Sequence, residues 1–152
     1  MGVTSIKLLV NQTEFHVSFR KLENQSDCGF IPPGYQNNNE VWIPWCDNPS
    51  QFSSKALIIE INEAMQIYVW QRGNSVYYFK SVPISTMQPY VGPVKHPIRL
   101  IPLAKANPNI FNSGQLVPGA SHVDGNRILR IISHPNQNQV LKNYFDIYLE
   151  MC

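Results

Sequence analysis

The segment "MQIYVWQRGNSVYYFK", residues 65–80, constrains this chain more than any other stretch. Two runs of β-branched and aromatic residues flank "RGN", so the segment reads as a β-hairpin. A three-residue loop at Arg72, Gly73 and Asn74 sets Gln71 across from Ser75. Pairing back from there puts Tyr68, Trp70, Val76 and Tyr78 on one face, and Ile67, Val69, Tyr77 and Phe79 on the other. Both faces are apolar, yet a sheet in a two-layer fold has one inner face. Something must cover the second: the proline-rich part of this chain or its 24–40 loop, another subunit, or a ligand that uses Tyr68, Trp70 and Tyr78 as an aromatic platform.

The rest of the chain follows the same period of two. Phe15, Val17 and Phe19 alternate with His16, Ser18 and Arg20, and Phe145, Ile147 and Leu149 alternate with polar or tyrosyl neighbours. Further strand candidates lie at 5–10, 56–61, 98–101 and 127–132. No window carries an amphipathic helical stripe. The one short helical turn expected is "NPSQFSSK", 48–55, with Asn48 as cap and Pro49 at its first position. Seven of the twelve prolines fall between residues 83 and 118, which reads as a meandering surface segment. "GFIPPG" (29–34) and "GQLVPG" (114–119) echo each other, and each Pro-Gly suits a type II turn. The expectation is all-β: one domain over 1–152, an antiparallel β-sandwich of about eight short strands, with a weak internal two-fold repeat suggested by that echo.

Composition narrows the function classes. Hydrophobic residues make up 43% and charged residues only 14%, well under the roughly 25% usual for soluble domains. Asn and Gln replace the missing charge. The net charge is +2 with no basic run, so no nucleic-acid partner is expected. The N-terminus has no apolar stretch of signal-peptide or membrane-span length, which predicts a cytoplasmic chain at synthesis and leaves an unconventional export route open. Three cysteines, an odd number, do not make a disulfide framework. Reduced thiols are expected, with a Cys28–Cys46 pair only in an oxidising compartment. The sequons "NQT" (11–13) and "NQS" (24–26) carry no meaning without an export signal.

Motifs for catalysis are missing: there is no Gly-x-Ser-x-Gly elbow, phosphate loop or HExxH. Cys46 beside Asp47 is too common a pairing to mark a nucleophile. His122 and Asp124 lie two apart, but Asp124-Gly125 reads better as a turn, and no further ligands complete a zinc set. No enzyme activity, metal or cofactor is expected. "VWIPWCDN", 41–48, is the densest aromatic stretch. Pro44 should end or bulge its strand; Trp42 is assigned to the core and Trp45 is left between core and surface. Trp45, Asp47 and Asn48 would make a sugar-binding group, while Asp47 or Asn48 could equally cap the turn before Pro49. The candidate contact residues are therefore Trp45, Asp47, Asn48, Tyr68, Trp70 and Tyr78. They suit a non-catalytic binding module for a glycan or a membrane head group. The alternative is an assembly subunit using the same aromatic face for a protein partner or a homo-oligomer. In composition and strand pattern the chain resembles small β-sandwich lectins and sandwich-type cytolysins. That resemblance implies a lectin-like or toxin-component role and supplies no functional positions.

Overall fold

The alternating stretches form strands in the computed structural model, which describes residues 3–62, 65–81, 106–134 and 144–152. In chain order these are β1 (Thr4–Asn11), β2 (Val17–Lys21), β3 (Asn24–Ile31), β4 (Gln36–Asn37), β5 (Val41–Trp42), helix α1 (Pro49–Lys55), β6 (Leu57–Ile61), β7 (Met65–Arg72), β8 (Ser75–Ser81), a 3₁₀ turn (Pro108–Ser113), β9 (Gln115–Leu116), β10 (Gly125–Ser133) and β11 (Phe145–Met151). They build two sheets. One runs β11-β10-β1, with β4 and β5 both paired to the far side of β1; the other runs β3-β2-β6-β7-β8-β9. The protein is thus mostly β, with eleven strands among the described residues rather than about eight. Three of them, β4, β5 and β9, are two residues long. β3 escaped the pattern because it is an edge strand with mostly polar, exposed side chains, and so has no apolar alternation to read. The candidate strand at 98–101 lies outside the described residues.

The pairing is not wholly antiparallel, as had been expected. β1 and β10 run parallel, from Thr4 opposite Gly125 to Asn11 opposite Ile131. Parallel neighbours need a long crossover, and nearly the whole chain lies between these two.

The central hairpin forms, but in a different register. Arg72 pairs with Ser75, and only Gly73 and Asn74 remain in the turn. Gly73 takes φ 59, the positive value that a two-residue II′ turn reserves for glycine at its first central position. The loop is one residue shorter than expected, and a one-residue slip turns every β8 side chain over. Tyr78 now sits opposite Val69, while Tyr77 and Phe79 join Trp70 and Tyr68.

Both faces of this ribbon are buried. One cluster gathers Ile6, Leu9, Leu129 and Ile131 from the first sheet with Ile59, Ile67, Val69, Val76 and Tyr78 from the second. The other holds Ile58, Tyr68 and Trp70 under Phe52 of α1, Ala106 and Phe111 of the 3₁₀ turn. α1 begins as the sequence predicts: the Asn48 side chain accepts from the Gln51 N–H and Pro49 opens the first turn. The cover is tied down where Ser53 Oγ donates to the Ala106 carbonyl at 2.6 Å and Ala106 N–H donates back to the Ser53 carbonyl at 2.9 Å. Over Ile58, Tyr68 and Trp70 the second face is therefore covered by α1 and residues 106–113 and not by the 24–40 loop, while Tyr77 and Phe79 stay half-buried.

The two echoing Pro-Gly corners do similar work. Gly34 has φ 76 and Gly119 φ 93. After β3, the Gly34 N–H donates to Asn11 of β1; after β9, the strand-like contact of Gly119 with Leu149 joins β11. Each corner leads from a margin of the second sheet to the first. The strands that follow differ, since β5 runs antiparallel to β1 and β10 parallel. At Gly119 a Cβ would overlap the Leu149 backbone carbonyl, so the corner needs glycine for space as well as for φ.

Asn11 pins the first corner. Its Nδ2 donates to the carbonyls of Phe15, Ile31 and Pro32, and its Oδ1 accepts from the Thr13 N–H and hydroxyl. The first sequon is thus a buried structural residue. No helix among the described residues is long and apolar enough to cross a membrane.

Candidate functional site

The six residues singled out from the sequence do not come together. Tyr68, Trp70 and Tyr78 are buried, with Trp70 at 0% exposure. Trp70 packs edge-on to Phe52 at 4.7 Å and lies against Gly114, where any Cβ would strike its ring. Tyr68 donates its hydroxyl to Gln66 Oε1 at 2.8 Å. Tyr78 belongs to the opposite cluster. Burial raises the pKa of both tyrosines, with Glu60 adding to it at Tyr68 and Asp146 at Tyr78. The expected aromatic platform is corrected accordingly: its rings are covered within the chain, so this conformation offers none of them to a ligand. Asn48 is the cap of α1. The Asp47 N–H donates to Gln51 Oε1 at 2.7 Å, and its carboxylate is exposed.

Trp45 does line a cleft, and the second wall is the residue assigned to the core. Trp42 is 55% exposed. Strand alternation explains the reversal. Val41 and Ile43 point inward and are buried, which leaves Trp42 outward. The signal was in "VWIP": two β-branched residues on one side outweigh one tryptophan on the other. The cleft has a volume of about 370 Å³, within the range of small-molecule sites. Val3, Trp42, Ile43, Pro44 and Trp45 form its apolar wall, and Lys21, Glu23, Lys55 and Gln71 its polar side. Asp47 and Asn48 lie outside it.

The backbone beneath this wall is anchored to both sheets. Trp42 pairs with Ser5 of β1, and Ile43 N–H donates to the Thr4 carbonyl at 2.9 Å. Three residues on, the Gln71 N–H donates to the Pro44 carbonyl at 2.8 Å and the Cys46 N–H to the Gln71 carbonyl at 2.9 Å. Residues 41–46 thus span from β1 to the end of β7, and the rings stand on a fixed strap.

Charges complete the geometry. The Glu40 carboxylate accepts from Lys7 Nζ at 2.5 Å and from the Ser5 hydroxyl. Lys7 and then Ser5 hold its pKa below the ordinary value, with a weaker hydrogen bond from the Trp42 side chain. The fixed carboxylate thus lies next to the exposed ring in the chain. Lys21 Nζ lies 3.1 Å from Glu23 and 3.8 Å from Asp27. Lys55, in the last turn of α1, pairs with no carboxylate among the described residues. Beneath the strap, burial pushes the Cys46 thiol up to about 12. A thiol so held stays protonated and is a poor nucleophile. Among the described residues no three His, Cys, Asp or Glu side chains gather. Asp124 and Gly125 both take positive φ where the chain bends into β10, which Gly125 opens. Lys21, Glu23, Lys55 and Glu40 were not singled out beforehand, since nothing in linear spacing brings β2, α1 and β5 to one place. The chain matches no family model, no curated protein and no solved structure.

Proposed function

We propose that this chain is a single β-sandwich domain acting as a non-catalytic binding module, lectin-like or part of a toxin, that takes a glycan or a membrane head group in the Trp42–Trp45 cleft. The observation that carries this reading is an exposed tryptophan held in place beside a cleft of ligand size. Val3, Trp42, Ile43, Pro44 and Trp45 gather on one wall of that cleft, and a contiguous apolar patch marks a contact site where a lone exposed ring would not. The strap, anchored by its backbone to both sheets, removes part of the ordering cost of binding. The cluster shared by both sheets supports the sandwich. The buried, protonated Cys46 speaks against a thiol nucleophile at this place.

The test is a glycan array together with vesicle sedimentation, on the wild-type chain and on Trp42→Ala. The expected result is binding that Trp42→Ala abolishes while the melting temperature holds. No binding to either surface, or binding indifferent to Trp42, overturns the reading.

An assembly subunit is the second reading, and one observation favours it. Tyr35 is 66% exposed and precedes β4, on the same margin of the first sheet as Trp42. It would use this margin and not the covered ribbon face. A Trp42-dependent oligomer in light scattering supports it.

A further inference from the structure

We propose that the ligand of the Trp42–Trp45 cleft is an acidic saccharide, whose ring lies against Trp42 and whose carboxylate is read by Lys55; the inference rests on the binding-module reading above. Three charged side chains line the cleft: Lys21, Glu23 and Lys55. Lys21 is nearly buried and already balanced by Glu23 and Asp27 at 3.1 and 3.8 Å. Lys55 is half-buried and has no carboxylate partner among the described residues. The cleft therefore presents, beside an aromatic wall, one lysine with no carboxylate at ion-pair distance among the described residues, within a group of Lys21, Lys55, Glu23 and Asp27 whose charges balance.

A partly desolvated cation favours an anionic group over water more than a fully exposed one does. The aromatic wall sets the rest of the ligand. A flat indole face suits the apolar C–H face of a sugar ring, and the neutral amide of Gln71 lines the same space and can meet hydroxyls. A neutral saccharide would leave Lys55 unanswered. A bare anion would leave the tryptophans unanswered. A uronic acid meets both. Glu23 limits the choice further: with its carboxylate on the same rim, a ligand of many closely spaced charges would meet repulsion as well as attraction.

Calorimetric titration with digalacturonate and with the neutral disaccharide galactobiose tests this. Digalacturonate is expected to bind about tenfold more tightly, a ratio equivalent to about 1.4 kcal/mol. Lys55→Gln should bring the two affinities together without lowering the melting temperature, and Trp42→Ala should abolish both. Raising salt should weaken digalacturonate alone. Equal affinities in the wild type, or a preference that survives Lys55→Gln, overturn the acidic-sugar assignment while leaving the binding module intact. Capture by phosphatidylserine vesicles with no response to digalacturonate overturns it in favour of a head group. Silence toward both sugars and all vesicles removes the binding-module reading along with it.

Discussion

The two faces of the β7–β8 ribbon are buried by different means. Toward the first sheet lie Ile67, Val69, Val76 and Tyr78, closed over by the aliphatic side chains of β1, β10 and β11. On the other side lie Tyr68 and Trp70, closed over by a seven-residue helix and a six-residue 3₁₀ turn, with Tyr77 and Phe79 half-buried beside them. The inner face is held by whole strands in long ladders. The outer face depends on Phe52 and Phe111 and on the reciprocal Ser53–Ala106 hydrogen bonds. Short elements have few internal hydrogen bonds to lose and open at lower free energy than sheet centres. A large aromatic surface under a thin cover is thus the part of this molecule most open to perturbation. The contrast also shows that an apolar second face on a sheet needs no external partner to explain it.

The sharpest way to break the contrast is Trp70→Ala. Removing the largest fully buried side chain should cost about 4 kcal/mol in chemical denaturation, and amide exchange at 49–55 and 106–113 should rise far more than in β10. Gly119→Ala attacks the inner closure instead. The φ of 93 and the overlap with the Leu149 carbonyl predict a loss of about 3 kcal/mol, with exchange rising first in β11.

Alkali should act on both faces together. Cys46 and Tyr68 on the outer face and Tyr78 on the inner all hold their protons more tightly when folded, Cys46 up to about 12 from 9.0. The unfolded chain binds fewer of these protons above pH 9, so stability is full below that pH and falls as pH rises from 9 toward 12. An alkaline series of denaturation midpoints that stays flat would contradict this. Thiol labelling separates the faces at neutral pH. Cys28 and Cys152 are exposed and should react at once, while Cys46 should wait for the α1 cover to open. The smallest stability effect is expected at Trp42→Ala, within about 0.5 kcal/mol, because an exposed ring supports no core. A much larger loss would return Trp42 to the structural role first assigned to it.

Much of this architecture was readable in advance. Phe15, Val17 and Phe19 alternate, and β2 is there; Asn48 and Pro49 signal a helix start, and α1 begins with them. Local backbone chemistry decides such features, and it is written in neighbouring residues. The hairpin shows where that ends. "RGN" announces a turn, yet whether Arg72 joins the turn or the ladder depends on which register buries Tyr78, and that is set by the first sheet packed against it. β3 stayed hidden because a polar edge strand is defined by its neighbour, not by its own pattern. The candidate site was legible only in Trp45.

The chain's own order of residues settled that there would be strands, that they would be mostly antiparallel and short, and that the 65–80 ribbon would need covering twice, because periodicity and turn chemistry act over a few residues. Folding in three dimensions settled what does the covering, which tryptophan meets water, and which lysine stands beside it. Those outcomes come from long-range packing among β1, β5, β7 and α1, where burying the greatest apolar area overrules the preference of any single side chain.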